Sequence, residues 1–155
     1  QVLPSKEIVD LGEQIHEVIE YYEVLAESRG INLEAKGDAQ ISCDRSMLRR
    51  ALSNLISNGI RHAQENSTLG VVIQTEPDWV QIDVSNLGDD IPAQHLAHIF
   101  DRFYQANEAR SATVDGMHGL GLGLAMTRAI MYSHGGYALA TSSNGTTTFS
   151  LRFPR

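Results

Sequence analysis

The stretch from Asp44 to His62 leaves the chain the fewest choices. It reads as one helix, opened by Asp44 as a cap, with Met47, Leu48, Leu52, Leu55, Ile56 and Ile60 forming an apolar surround. Asn54, Asn58 and Arg61 fall at i, i+4 and i+7 in the same helix, so they share one face. An unpaired buried amide costs ~1–3 kcal/mol. Either these amides lie on a solvated helix face, or they form a stripe with a task. Such a stripe offers carbonyl oxygens to a hard cation and a guanidinium to phosphate.

A second constraint is the run Gly119-Leu120-Gly121-Leu122-Gly123-Leu124-Ala125. Alternate glycines inside a helix cost roughly 1 kcal/mol each against alanine. At a helix start they make sense, because bare backbone N–H groups there point at an anion. The third glycine comes too early for a dinucleotide fingerprint, and no Gly-Lys-Ser/Thr follows for a phosphate loop of the Walker kind. A flexible hinge is the plainer alternative.

Around these two segments the chain alternates clusters of strands and helices. A helix is expected over 5–29, capped by Ser5 and stopped by Gly30, with Ile8, Leu11, Ile15, Val18, Tyr22 and Leu25 as its apolar stripe. Strands follow at 31–35 and 40–43, with Lys36-Gly37-Asp38 as a turn signal between them, then at 70–76 and 79–85. Residues 93–100 read as a short helix, 105–118 as a mobile loop and 120–133 as a helix. A closing hairpin spans 136–142 and 146–153, with Asn144-Gly145 at its turn. This clustering predicts a largely antiparallel sheet with helices on one face.

Composition removes several classes. The one cysteine, Cys43, excludes a disulfide framework, and no Cys/His cluster suggests zinc. His95 and His98 lack a third ligand nearby in sequence and read as solvent-facing. No apolar run in these residues is long enough to span a membrane, and none reads as a signal peptide. A pI near 5.2 and a net charge of -7 argue against nucleic acid. The acidity is local: residues 1–34 carry eight acids against Lys6 and Arg29. The segment 45–62 carries Arg45, Arg49, Arg50 and Arg61 and no acid. The acids are expected on a face turned away from the stripe, as a surface for another domain.

Taken in order, four blocks resemble the catalytic, ATP-binding domain of sensor histidine kinases, in the superfamily that also holds gyrase, Hsp90 and MutL. Residues 50–62 look like its N box, 85–92 occupy the G1 position, 100–103 the F box and 119–125 the G2 box. Asn86-Leu87-Gly88 with Ile91, and Phe100-Asp101-Arg102-Phe103-Tyr104, are most similar to the heavy-metal-sensor branch. The resemblance implies an α/β two-layer sandwich of the Bergerat type. A mixed, mostly antiparallel sheet of about five strands would lie under about three helices. Residues 1–4 would be a linker remnant and 5–155 the domain, with an ATP lid over about 104–118.

The resemblance also implies roles. Asn58 would hold Mg²⁺ bridging the ATP phosphates, and Asn54 would line the same site as its second catalytic residue. Where the gyrase and Hsp90 relatives carry a water-activating Glu, Asn54 cannot serve as a base. Arg61 and His62 would stand near the phosphates. Gly119, Leu120, Gly121, Leu122 and Gly123 would bring backbone amides to them. Phe100 and Phe103 would pin the lid at one end, and they and Arg102 would count among the nucleotide-binding residues. Ser85, Asn86, Gly88, Asp89, Asp90 and Ile91 would line the nucleotide. Ser85 stands at the usual adenine-reading Asp and Leu87 at the first Gly, with the loop one residue longer. That leaves the adenine contact to Ser85 through water, or to Asp89 or Asp90.

The implied activity is transfer of the ATP γ-phosphoryl group to a histidine on a separate dimerisation domain. The isolated chain is expected not to phosphorylate itself. His16 lacks the family's Arg-Thr-Pro and falls within the first catalytic-domain helix. The alternatives are a regulatory nucleotide-binding module with weak or no kinase activity, and a relative such as an anti-sigma-factor serine kinase. The implied partners are the dimerisation and phosphoacceptor domain and a response regulator. The full protein would be a bacterial inner-membrane homodimer, with this soluble part in the cytoplasm.

Overall fold

The computed structural model describes residues 3–104 and 122–155. The elements are β1 (Glu7–Asp10), α1 (Leu11–Ser28), β2 (Asn32–Lys36), β3 (Gln40–Cys43), α2 (Arg45–His62), β4 (Thr68–Thr75), β5 (Trp79–Leu87), α3 (Ala93–Leu96), α4 (Gly123–Ser133), β6 (Tyr137–Ser143) and β7 (Thr146–Pro154). Five strands form one sheet in the order β2-β4-β5-β7-β6. The β2–β4 pair is parallel and the other three pairs are antiparallel. The mixed sheet and its helical cover agree with the expected sandwich.

The sheet has one dry face. Val80, Ile82 and Val84 of β5, and Phe149, Leu151 and Phe153 of β7, are buried with Leu48, Leu52, Leu55, Ile56 and Ile60 of α2 in one core. The intervening positions carry a polar network. Asp83 accepts from Ser150 Oγ at 2.6 Å, Arg152 Nε donates to Gln81 Oε1 at 2.7 Å, and the Arg152 guanidinium lies 4.1 Å over the Trp79 ring. Strand alternation separates the two faces.

Two expectations need correction at the N-terminus. Residues 7–10 are strand, not helix: they pair antiparallel with β3, Glu7 opposite Cys43. Asp10, not Ser5, caps α1 by accepting from Glu13 N at 3.1 Å. Ile8 therefore leaves the helix stripe and is exposed, and so is Leu25. The strands β2 and β3 are adjacent in sequence but join different sheets. The turn signal at 36–38 marked a crossing between sheets rather than a hairpin. The short helix expected over 93–100 is regular only to Leu96 and continues as turns.

Two local devices agree with the sequence. Asp44 caps α2 through Oδ1 on Met47 N at 3.0 Å. Asn144 and Gly145 adopt φ of 53° and 81° at the β6–β7 turn. Positive φ at both central residues is what a two-residue hairpin of this twist requires.

Candidate functional site

The stripe on α2 faces α4 at one end and the end of β5 at the other. Asn54 Nδ2 donates to the Gly123 carbonyl at 3.0 Å and to Thr127 Oγ1 at 3.3 Å. One turn on, Asn58 is buried and its Oδ1 accepts from Arg61 at 3.4 Å. Past the last turn, Gln64 N donates to the Leu87 carbonyl at 2.7 Å and ties the exit of α2 to β5. Gly88 lies against the same end: a Cβ there would approach the His62 carbonyl at 3.0 Å. The glycine therefore permits a close approach that a side chain would crowd. From Asn54 to His62 the helix advances about 12 Å at ~1.5 Å per residue.

The β5 register overturns the placement of Ser85. Ser85 falls between Val84 and Asn86, so its side chain lies on the polar face of the sheet, bonded to Thr148 Oγ1 at 2.8 Å. It cannot meet anything held on the helix side. Asn86 lies on the helix side instead and is 5% exposed, with Nδ2 on the Leu87 carbonyl at 3.2 Å. A side-chain period of two decides this, and a one-residue slip reverses it. Set against the G1 pattern that the resemblance implies, Asp-Asn-Gly-x-Gly-Ile, Asn86 in the first place puts Gly88 in the third and Ile91 in the sixth, with no extra residue.

The rest of that loop is braced to the β6–β7 turn. Gly88 N donates to the Gly145 carbonyl at 2.9 Å, Asp90 Oδ1 accepts from Gly145 N at 2.9 Å and Ile91 N donates to Ser142 Oγ at 2.8 Å. Asp90 thus holds the turn, and Asp89 is exposed.

In the F box only Phe100 packs inward, edge-on to Phe149 with ring centroids 6.0 Å apart. Phe103 is 61% exposed at φ 64°, with the Arg102 guanidinium 5.3 Å from its ring centroid. These two pair at the surface, and the lid that either phenylalanine would pin lies outside the described residues. Asp101 bridges to Arg128 of α4 at 3.6 Å. His98 meets Asp101 at 2.9 Å and His95 bonds the Tyr104 hydroxyl. No group of three metal-ligating side chains occurs among the described residues. Leu122 and Gly123 stand at the start of α4. Gly119, Leu120, Gly121 and the lid over 105–118 lie outside the described residues.

Every fully buried side-chain nitrogen or oxygen among the described residues has a hydrogen-bond partner. Among the described residues, none donates to Asn54 Oδ1 or Asn86 Oδ1, and none accepts from Asn58 Nδ2. These amide atoms therefore open onto accessible space. Amide carbonyl oxygens are hard donors that suit Mg²⁺.

Charge around α2 differs from the expectation. Glu7 of β1 pairs with Arg45 at 3.3 Å and Glu17 of α1 with Arg49 at 2.5 Å, so part of the acidic N-terminal segment meets α2 instead of turning away from it. Asp44 accepts backbone N–H bonds from Ser5 and Met47, which hold its carboxyl below the usual range. Burial pushes the Cys43 thiol up to about 11. Sequence reasoning also missed Arg29, whose guanidinium bonds the Ile60 carbonyl and the Arg61 carbonyl, the latter at 3.2 Å. It caps the negative end of α2. It missed Thr127 too, whose position four residues after Gly123 was the available signal.

The sequence model of the histidine kinase-, DNA gyrase B- and HSP90-like ATPases matches residues 43–155. The sensor protein CzcS of Cupriavidus metallidurans is 40% identical over 94% of this chain and 30% of its own length. The sensor histidine kinase CusS of Escherichia coli is 38% identical over 99% of this chain and 32% of its own. The chain thus spans about a third of these relatives. Among solved structures, the catalytic domain of the histidine kinase ThkA superposes with a TM-score of 0.84 at 25% identity, covering 97% of this chain and 95% of that one. A complex of ThkA with the response regulator TrrA gives 0.80 at 23% identity, over 97% of this chain and 42% of that one. The chain belongs to the histidine kinase-, DNA gyrase B- and HSP90-like ATPase family and corresponds to the catalytic domain of the sensor histidine kinases.

Proposed function

We propose that this domain binds ATP with Mg²⁺ along α2 and positions its γ-phosphoryl group for transfer to a histidine of a separate helical domain. The observation that carries the reading is the line of open amides on α2 and β5, facing a helix that starts at glycine. Asn58 would hold the metal through Oδ1, which keeps a lone pair beyond its bond from Arg61, and Asn54 would line the same site; the metal would supply charge neutralisation at the phosphates. Arg61 and His62 would lie beside the phosphates. Residues 119–121 would add backbone amides, as the resemblance implies. Asn54 brings an amide where hydrolysis would need a base, and a neutral imidazole acceptor needs no base from this domain. Slow ATP hydrolysis follows.

Asn86 is the residue we assign to the nucleobase. Its open Oδ1 can accept from an exocyclic amino group such as that of adenine. The case for a weak regulatory module rested on the atypical G1 box without its Asp; an acceptor at Asn86 in that place favours the competent kinase over it. A response regulator, a phosphoacceptor domain and a membrane anchor are the partners the relatives' kind suggests for the whole protein. No helix among the described residues is long and apolar enough to cross a membrane.

Calorimetry tests the reading. MgADP and MgATP should release binding heat, and Asn58→Ala should abolish the dependence of affinity on Mg²⁺. No heat at millimolar nucleotide would overturn nucleotide binding. Normal phosphoryl transfer by Asn58→Ala to a supplied phosphoacceptor domain would overturn the metal assignment.

A further inference from the structure

The contacts of Asn54 go beyond lining a site. The Gly123 carbonyl accepts from Thr127 Oγ1 at 2.9 Å and from Asn54 Nδ2 at 3.0 Å, and the same Nδ2 reaches Thr127 Oγ1 at 3.3 Å. Only one proton arrangement satisfies this triangle. The single hydroxyl proton of Thr127 goes to the carbonyl, and its lone pair takes an N–H of Asn54. Thr127 is 0% exposed, so water does not substitute. The amide of Asn54 is thereby fixed, with Nδ2 toward α4 and Oδ1 toward accessible space.

We propose that Asn54 is a positioning residue: its amide, locked by Thr127 and the Gly123 carbonyl, sets the first turn of α4 against α2 and aims Oδ1 beside Asn58. The proposal rests on the nucleotide reading above. It gives residue 54 a requirement of its own, a side chain of this length with a donor at one tip and an acceptor at the other. A carboxylate meets only half of it. Aspartate would face the Gly123 carbonyl acceptor to acceptor, and the Thr127 hydroxyl would turn toward the aspartate and leave the carbonyl. The amide at 54 thus does more than withhold a base. It keeps the glycine-led turn of α4 in register with the amide one helical turn along α2. Apolar packing of Ile130 and Met131, with Leu124 half-buried against the core in the first turn, holds the helix to the core but does not orient the amide of Asn54.

The test compares Asn54→Asp, Thr127→Val and Thr127→Ser with the unmodified chain. Amide hydrogen exchange reads the clasp, and calorimetric affinity for MgADP reads its purpose. Asn54→Asp and Thr127→Val should each speed exchange at Met126 and Thr127 at least tenfold and weaken MgADP at least tenfold. Exchange at Ile130 and Met131 should stay unchanged. Thr127→Ser keeps the hydroxyl and should restore both readouts to within threefold. Combining Asn54→Asp with Thr127→Val should weaken MgADP no more than the worse single change, because both break one unit. Affinity within twofold of the unmodified chain in Asn54→Asp overturns the proposal alone. Equal weakening by Thr127→Ser and Thr127→Val also overturns it, since a packing defect would then suffice. Failure of the unmodified chain to bind MgADP overturns the nucleotide reading and the proposal with it, and that failure is visible before any variant is made.

Discussion

The two helices that face each other across the site are held in different ways. The eighteen-residue α2 is capped at both ends, by the Asp44 carboxylate at its start and the Arg29 guanidinium at its last carbonyls. It is buried along most of its length, between α1 and the sheet. The eleven-residue α4 begins at Gly123 after Leu122, which offers no side-chain oxygen to cap it. Only Thr127, Ile130 and Met131 of α4 are buried. Its first turn is held to α2 by the polar clasp at Asn54, and its last by His134, whose Nε2 accepts from Asp44 N at 3.0 Å. One wall of the site is part of the core. The other is attached to it by a shorter apolar stripe, Ile130 and Met131 with Leu124 half-buried beside them, and by polar contacts at its two ends.

Core truncations should expose this difference most. Leu52 is fully buried in α2, and Leu52→Ala should destabilise the domain by about 3 kcal/mol, within the ~2–5 kcal/mol of such truncations. In urea it should lower the midpoint for the whole domain in one transition. Ile130→Ala in α4 should cost about 2 kcal/mol at the lower end of that range. Equal costs, measured by tryptophan fluorescence of Trp79, would contradict the contrast between the walls.

The cap of α2 comes next. Asp44→Ala should cost about 1 kcal/mol, the usual value of an N-cap. Its pH dependence has a definite sign. Bonds from Ser5 N and Met47 N lower the carboxyl in the folded state, so its stabilisation is complete above the unfolded value near 3.8. It is lost as pH falls through the lower folded value. Urea midpoints of the unmodified chain should therefore fall more steeply below pH 4 than those of Asp44→Asn. Parallel curves would remove Asp44 from the account.

How far the sequence disclosed this arrangement depends on range. The cap at Asp44 and the turn at Asn144-Gly145 are local, and each was legible from a few neighbouring residues. The α2 stripe was legible because a 3.6-residue period survives inside one helix. Residues 7–10 were not, because their apolar spacing suits a helix as well as a strand until β3 arrives to pair with them. Ser85 and Asn86 show the sharpest limit. Both lie in one strand, both are polar, and a motif placed one residue off selects the wrong face. The burial of Val84 settles the phase. Thr127 and Arg29 bear on α2 from residues distant in sequence; the spacing of Thr127 from Gly123 was the one signal for the first, and no local pattern announces the second.

The smallest effect belongs to the charges that α1 lends to α2. Arg49 meets Glu17 at 2.5 Å and Gln14 at 2.8 Å, and the Arg49 and Glu17 side chains are both more than a third exposed. Exposed pairs of this kind contribute ~0.2–1 kcal/mol. Glu17→Gln should therefore shift stability by less than about 0.5 kcal/mol, and the shift should vanish in molar salt. Its effect on the site should be measurable all the same. Glu17 neutralises an arginine on the helix that carries the open amides, so its removal leaves one more positive charge near them. MgADP should bind up to twofold tighter at low salt. A loss of affinity instead would mean that Glu17 acts by fixing the pose of α1 on α2, and the anchored wall would then owe part of its rigidity to surface charge.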